Sequence, residues 1–146
     1  MVTPRIVSRF TGPPQPVGNG AARKITGGPL YPVDEVLRVI SQGGSSVIHA
    51  WTQKCTQDMQ KWSLDTDDLL ELIGISINKG RFIGSEWCEQ KPNGPWAACD
   101  AYTVNRKEWI PATHREIDLE YYVKFAIGKT GVVLLVVSCH PPEERR

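Results

Sequence analysis

Apolar residues recur at helical spacing between residues 31 and 80. The segment YPVDEVLRVISQGG has Pro32 in a first helical turn, two acids where the helix dipole favours anions, and two glycines that end it. In SSVIHAWTQKCTQDMQKW, large side chains from Trp51 to Trp62 follow one another at intervals of three or four residues. A third segment, DTDDLLELIGISINKG, has a similar period and ends at Gly80. The pattern therefore predicts three helices.

After Gly80 the pattern changes to an alternation of apolar and polar residues, which is typical of strands. Turn residues divide this part of the chain into four predicted strands, at 81–88, 96–104, 117–127 and 132–140. Helices followed by a meander of strands predict an α+β fold. In this fold the N-terminal helices pack on one face of a four-stranded, mainly antiparallel sheet.

Residues 1–30 have a different composition, rich in proline and glycine and poor in large apolar residues. Such a segment buries too little surface to offset the entropy of ordering the chain, so we expect a flexible arm. The arm carries four basic residues and no acid: Arg5, Arg9, Arg23 and Lys24. It is either a mobile tail or a segment that touches phosphates. Residues 31–146 are then predicted to form a single α+β domain.

Composition and charge exclude few functions. The 146 residues are 40% hydrophobic and 23% charged, as in an ordinary globular protein, and the formal net charge of +1 gives no general attraction to nucleic acid. The chain has no apolar run as long as a membrane span, and MVTPRIVSRF lacks the core of a secretory signal, so we expect a cytoplasmic protein without a membrane partner. There the four cysteines would be reduced, although their even number also permits two disulfides. Their spacing indicates no metal site.

The final predicted hairpin, YYVKFAIGKTGVVLLVVSCHP, carries polar residues inside otherwise apolar strands. A three-residue loop at 129–131, with glycine in its last place, suits a type I turn closed by a left-handed residue. This loop predicts that Lys124 lies opposite Val136 and that Tyr122 lies opposite Ser138. A loop one residue longer or shorter would turn one of the strands over.

Because cross-strand partners share a face, the predicted register places four polar side chains together on one face of the hairpin. They are Tyr122, Lys124, Ser138 and His140. The other face is apolar and is predicted to belong to the core: Tyr121, Val123, Phe125, Ile127, Val133, Leu135, Val137 and Cys139. The polar face supplies an ammonium, a phenol and an imidazole that titrates near neutrality.

This mixture of groups suits the cleavage of a phosphodiester by its neighbouring 2′-hydroxyl. In that reaction a base removes the hydroxyl proton, a cation stabilises the phosphorane, and an acid protonates the leaving oxygen. Each contribution is worth about 10²–10⁴ in rate, and no metal or other cofactor is required. The alternative interpretation is a half-exposed sheet face with ordinary polar residues.

Short segments along the chain also occur in an order that resembles a known family. They are VDEVLRVISQGG, LDTDDLLELI, RFIGSEW, PWAACDAYTV, YYVKFAI and VVLLVVSCHP. From residue 31 to residue 143 the chain resembles the motility quorum-sensing regulator (MqsR) toxins, metal-independent ribonucleases of the RelE-like class in toxin–antitoxin modules. The resemblance implies a RelE- or barnase-like ribonuclease fold, an mRNA interferase that cleaves single-stranded messenger RNA, and an antitoxin protein as partner.

The resemblance implies catalytic roles for residues of the final hairpin. Tyr122 and Lys124 match the family's catalytic strand, and His140 replaces the basic residue of its last strand. At the start of the second predicted helix, His49 has two interpretations. It either points into the polar face as a second acid or base, or it is an ordinary, partly exposed residue at a helix terminus.

Four further residues are candidates for substrate binding. Ser85 and Tyr102 match the middle motifs of the family, and Ser138 belongs to the polar side of the hairpin. The family has a lysine where this chain has Gly84, and either Arg81 or Lys79 is a candidate for the missing cation.

Two other functions stay open. One is a non-catalytic binding module of the same fold that recognises RNA or a protein partner, and the other is a domain that binds a small ligand or a peptide. Trp87, Trp96 and Trp109 are either platforms on which bases stack or parts of the core.

Overall fold

The structure is a computed structural model and describes residues 4–16 and 20–142. Residues 1–3, 17–19 and 143–146, which belong to the predicted arm and to the end of the predicted domain, lie outside the described residues. The described part contains three α-helices: α1 Val33–Gly43, α2 Gln53–Lys61 and α3 Thr66–Lys79. It also contains six strands: β1 Lys24–Ile25, β2 Ile48–Ala50, β3 Arg81–Glu89, β4 Trp96–Ile110, β5 Arg115–Ile127 and β6 Leu134–His140.

The strands form one sheet in the order β1-β3-β4-β5-β6-β2. Every neighbouring pair is antiparallel except β2 and β6, which are parallel. The predicted α+β class is therefore confirmed, but the sheet of the described residues has six strands where four were predicted. The two additional strands, β1 and β2, have two and three residues and pair with the outer edges of β3 and β6. Segments this short cannot show an alternating pattern in the sequence.

Two of the helices form where the sequence predicts them. α1 begins directly after Pro32 and carries its acids in the first turn, and it ends at Gly44, whose φ is 57°. α3 begins with a reciprocal capping box, in which the side chains of Asp65 and Asp68 each accept the backbone N–H of the other residue. These local signals mark the helix ends, and Arg106 of β4 also pairs with Asp68 at the start of α3 at 3.0 Å.

The second predicted helix, at 45–62, is replaced in its first part by a 3-10 turn, Gly44–Val47, and by β2. The backbone N–H of Trp51 donates to the carbonyl of Val136 in β6 at 3.0 Å. Thr52 then caps α2, because its hydroxyl oxygen accepts the N–H of the third helical residue at 3.0 Å. Pairing with the edge of the sheet therefore overrides the helical spacing in this segment.

The main core lies between the helices and one face of the sheet. It contains buried side chains from each layer: Val36 of α1, Cys55 of α2, Leu72 of α3, and Val123 and Phe125 of β5. Burial of an aliphatic or aromatic side chain of this kind contributes about 1.5–3 kcal/mol. None of the helices in the described ranges combines the length and the apolar character that crossing a membrane requires.

The described residues of the predicted flexible arm are packed against the sheet. Residues 5–9 lie between the start of β4 and the end of β5, where the pairing of these two strands has ended. The N–H of Val7 donates to the carbonyl of Trp96 at 2.9 Å, and the N–H of Arg9 donates to Ile127 at 2.8 Å. The segment satisfies backbone groups that the separated strands would otherwise leave unpaired. Its composition alone does not reveal this role.

A buried carboxylate, Asp100 of β4, holds the segment that follows β1. Asp100 is 0% exposed and accepts the N–H of Leu30 at 2.9 Å, the N–H of Tyr31 at 3.0 Å and the hydroxyl of Ser85 at 2.6 Å. Burial raises the pKa of Asp100, although these three donors act in the opposite direction. The carboxylate therefore depends on its donors to stay in the interior.

Tyr31 extends this contact to the first residues of the arm. Its hydroxyl donates to the carbonyl of Ala98 at 2.6 Å, and burial raises the pKa of this phenol. The N–H of Ala98 donates in turn to the hydroxyl oxygen of Ser8, which is fully buried, at 2.9 Å. A continuous series of hydrogen bonds thus joins both described parts of the arm to β4.

Replacing Asp100 with alanine should destabilise the fold, because two buried N–H groups and one hydroxyl lose their acceptor. At about 1–3 kcal/mol for each unsatisfied group, the free energy of unfolding should fall by about 3 kcal/mol or more in a urea titration. Asp118→Ala is the matched control. Among the residues that the structure describes, Asp118 pairs with Lys107 at the exposed end of β5 (3.2 Å), so this change should cost less than about 1 kcal/mol. Equal losses in the two variants would contradict the anchoring role of Asp100.

Candidate active site

The observed register of β5 and β6 brings the predicted polar residues together by a pairing that differs from the predicted one. Tyr122 lies opposite His140, and Lys124 lies opposite Ser138. The predicted partners were Ser138 for Tyr122 and Val136 for Lys124. The four polar residues nevertheless share one face of the sheet, as the sequence predicted.

Two one-residue shifts explain why the face is the same. The connection between the strands is 129–132, one residue longer than predicted, since the N–H of Gly128 donates to the carbonyl of Val133 at 2.9 Å. A β-bulge next to Lys124 adds the second shift, which restores the original side for the rest of β6. Between the two shifts the sides are exchanged. Val133 and Leu135, which were predicted to belong to the core, line a cavity, and Leu135 is nevertheless buried among the core residues.

Two rows of cross-strand partners run over β3, β4, β5 and β6 on this side of the sheet. The first row is Arg81, Thr103, Tyr122 and His140. The second row is Gly84, Ala101, Lys124 and Ser138. Since neighbouring strands lie about 4.8 Å apart, each row spans about 14 Å. We call this surface, together with Glu86, the polar face.

The rings of Tyr122 and His140 stack across the two strands, with 5.5 Å between centroids and 30° between planes. The Lys124 ammonium lies 5.5 Å from the centroid of the Tyr122 ring. Nδ1 of His140 lies 2.7 Å from the carbonyl oxygen of Pro141. Because a carbonyl only accepts hydrogen bonds, Nδ1 carries a proton, and Nε2 is left for a partner outside this contact. Burial raises the pKa of the Tyr122 phenol.

A carboxylate also belongs to the polar face. Nζ of Lys124 lies 2.6 Å from Oε1 of Glu86, and the two side chains are 14% and 36% exposed. Lysine can reach over β4 to this carboxylate because the central strand presents only Cys99 and Ala101 between them. Burial lowers the pKa of Lys124, but the neighbouring sulfur of Cys88 and the hydrogen bond to Glu86 outweigh it and leave the pKa raised.

A cavity of about 240 Å³ opens beside these side chains, and its lining includes Lys24, Gly84, Glu86, Ala101 and Tyr122. Gly84 has a φ of 153° and follows a bulge in β3, and a Cβ at this position would meet nothing within 4 Å. In the described residues the ammonium of Lys24 has no ion pair. The lining therefore combines an unpaired cation, a phenol and the carboxylate that pairs with Lys124.

His49 does not join the polar residues. It lies in β2 opposite Leu135, whereas His140 is at the other end of β6. Leu135 and His140 are five positions apart, which corresponds to about 16 Å along the strand. The predicted placement depended on a helix start at this position, and the chain forms a strand there.

Ser85 and Tyr102, two predicted substrate-binding residues, lie on the opposite face of the sheet and are buried. Ser85 donates to Asp100, and Tyr102 packs against Phe82 at 5.6 Å and Phe125 at 6.1 Å. Burial raises the pKa of Tyr102 to about 12. These contacts give both residues a structural role in the core.

Arg81 and Ser138, the other two predicted substrate-binding residues, do lie on the polar face. Arg81 is exposed at the start of β3 and makes no ion pair within the described residues. Ser138 is 7% exposed and lies beside Lys124. Of the four predicted substrate-binding residues, Arg81 is therefore the one that offers a charge to a ligand from solvent.

Sequence reasoning missed Glu86, and it named Lys24 as a candidate phosphate contact of the arm but did not place it beside these residues. Alternation along β3 places Glu86 on the same side as Gly84, which is a signal that the sequence contains. Its proximity to Lys124 follows from the order of the strands, and Lys24 comes from a strand of two residues. Neither fact can be read from local patterns.

The residues that the structure describes contain no metal-binding cluster and no disulfide. No group of three or more His, Cys, Asp or Glu side chains there is arranged to hold a metal ion. The four cysteines are buried free thiols.

Comparisons with known proteins do not identify the chain. No family model, no curated protein and no solved structure matches it. The resemblance to the MqsR toxins therefore stays an expectation, and a function must be inferred from the geometry of the polar face.

Stacking of the two rings should be visible by NMR. The ring current of Tyr122 should shift the carbon-bound ring protons of His140 upfield, whereas those of His49 should keep their ordinary positions, since His49 has no described aromatic contact. In Tyr122→Leu the His140 signals should move towards the His49 positions. Signals of His140 that do not change in this variant would contradict the observed register.

Proposed function

We propose that the polar face is the active site of a metal-independent endoribonuclease that cleaves single-stranded RNA by attack of the 2′-hydroxyl group. The observation that carries the proposal is a connected series of contacts between an imidazole, a phenol, an ammonium and a carboxylate, of which the phenol and the carboxylate line one cavity. These groups belong to His140, Tyr122, Lys124 and Glu86. Together they can supply the acid, the base and the cation that this reaction requires.

In the proposed reaction, Glu86 accepts the proton of the 2′-hydroxyl, whose oxygen attacks phosphorus and displaces the 5′-oxygen of the next nucleotide. The imidazolium of His140 gives its Nε2 proton to that leaving oxygen. The products are a 2′,3′-cyclic phosphate and a free 5′-hydroxyl. Lys124 offsets the charge that develops on the phosphorane, and Tyr122 holds the imidazole by stacking.

Two further cations support phosphate binding at this face. Lys24 lines the cavity of about 240 Å³, and Arg81 lies in the same row as Tyr122 and His140. A strand of RNA that crosses the sheet along this row would meet Arg81, whereas Lys24 lies opposite Glu86 on the neighbouring edge strand. Such an unstacked strand leaves its bases free for recognition, whereas a stem does not.

The resemblance extends the proposal beyond the chemistry of the site. It supports a RelE- or barnase-like ribonuclease fold, messenger RNA as the substrate, and an antitoxin protein that covers the polar face. It also supports a cytoplasmic toxin, because such a protein acts on messenger RNA where that RNA is translated.

Removing the acid or the cation should slow the cleavage of a fluorescent single-stranded RNA oligonucleotide. His140→Ala should lower the rate by about 10²–10⁴, the contribution of a general acid. Lys124→Met keeps the aliphatic stem, loses the charge, and should lower the rate by about 10²–10³. Mass spectrometry of the wild-type products should show the cyclic phosphate.

His114→Ala is the control for these variants, because His114 lies in an exposed turn against Trp109, away from the polar face. It should cleave at the wild-type rate. Circular dichroism should show that all variants are folded. Cleavage at the wild-type rate by both His140→Ala and Lys124→Met would refute the proposal. Products that end in a 3′-hydroxyl would also refute it.

One observation favours a non-catalytic binding module as the second candidate. Lys124 is already paired with Glu86 and is largely buried, which suits a structural ion pair as well as a catalytic one. A module of this kind would bind the oligonucleotide and leave it intact, and Glu86→Gln would change its stability without any effect on RNA integrity.

A further inference from the structure

A second and larger cavity lies outside the polar residues proposed for catalysis. Its volume is about 990 Å³, and it is enclosed by residues 4–7 of the arm, by the connections 89–95 and 128–130, and by Trp51. Leu135 of β6 forms part of its lining. The cavity and His140 are therefore separated by about five residues of one strand, or about 16 Å.

Hydrogen bonds between distant parts of the chain hold the walls of the cavity together without a ligand. The N–H of Trp96 donates to the carbonyl of Arg5 at 2.8 Å, and the N–H of Lys129 donates to Val7 at 2.8 Å. On the far side, the side-chain amide of Gln90 donates to the carbonyl of Trp51 at 2.8 Å. The walls come from four separate parts of the chain, and these bonds hold them together.

Two tryptophans supply aromatic surface to the cavity. Trp51 and Trp96 are partly buried, and both belong to the lining. The guanidinium of Arg23 lies 4.8 Å from the Trp96 ring and also pairs with Glu89 at 3.3 Å. One aromatic ring is therefore held in place by a cation, as in sites that stack on nucleobases.

The rim of the cavity is positive. Arg5, Lys91 and Lys129 are exposed, and their side chains make no ion pair in the part of the chain that the structure describes. The acid in the lining, Glu89, is occupied by Arg23 and by the N–H of Asn93 at 3.0 Å. An occupant should therefore combine a flat ring with a negative charge, which is the chemistry of a nucleotide.

We propose that this cavity binds a nucleotide of the RNA strand at a distance from the cleaved bond, an inference that rests on the proposed ribonuclease function. A base stacks on Trp51 or Trp96, and the phosphates beside it meet Lys91 and Lys129. The separation of about 16 Å requires a strand of several nucleotides. The cavity thus selects longer single strands over the shortest cleavable fragments.

The test measures binding in a His140→Ala background, so that the RNA stays intact. Fluorescence anisotropy with a labelled single-stranded oligonucleotide of about 12 nucleotides, within the usual range of such sites, gives the Kd. Trp51→Leu should weaken binding by about five- to 150-fold, the range for losing one base–aromatic stack. Lys91→Gln with Lys129→Gln should lower the slope of log Kd against log salt by about 0.7 for each phosphate contact.

Matched controls lie elsewhere on the surface. Trp109→Leu removes a tryptophan that is 58% exposed and belongs to β4 far from the cavity, and Lys61→Gln with Lys79→Gln removes two exposed cations. These variants should bind like the parent. The variant Lys91→Gln with Lys129→Gln changes only exposed side chains. It therefore tests the cavity even if Trp51→Leu fails to fold.

Each outcome separates this inference from the proposed function. Weaker binding in the cavity variants supports the inference, even if the wild-type chain proves unable to cleave RNA. Binding equal to that of the parent overturns the inference, even if His140 proves essential for cleavage. A mononucleotide that binds as tightly as the oligonucleotide also overturns it, because the cavity would then be a site for a free small ligand.

Discussion

A fully buried carboxylate, Asp100, holds the N-terminal residues to the sheet, and the shape of both cavities depends on this contact. A charge removed from water is costly unless donors replace its hydration, so the N–H groups of Leu30 and Tyr31 must stay beside it. The hydroxyl of Tyr31 donates to the carbonyl of Ala98, and the N–H of Ala98 donates to the hydroxyl oxygen of Ser8. A segment with the composition of a mobile tail is thereby part of the fold.

The ordered arm contributes to each of the two sites. Its strand β1 brings Lys24 to the cavity beside Tyr122, and residues 4–7 form one wall of the larger cavity. If the arm were mobile, the smaller cavity would lose a cation and the larger one would be an open edge between separated strands. Composition therefore predicted flexibility where long-range hydrogen bonds impose order.

The predicted side of the polar residues was confirmed, although the predicted register was wrong. The loop at 129–132 and the bulge at Lys124 each shift the pairing by one residue, and the two shifts cancel for the rest of β6. Burial explains this result, because Tyr121, Val123 and Cys139 lie in the core whatever the turn does. Alternation of apolar residues therefore fixes the face of a strand more firmly than loop length fixes its partner. Helices with local caps were predictable for a similar reason.

Glu86 marks the limit of such reasoning. The residues of the final hairpin lie on consecutive strands, so their proximity follows from one connection, whereas Glu86 meets Lys124 across the whole width of β4. The meeting depends on small side chains such as Ala101 and on a strand order that no local pattern records. It also has a chemical consequence. Burial alone would favour the neutral amine of Lys124, but the neighbouring sulfur of Cys88 and the carboxylate of Glu86 retain the ammonium form, and only that form can stabilise a phosphorane.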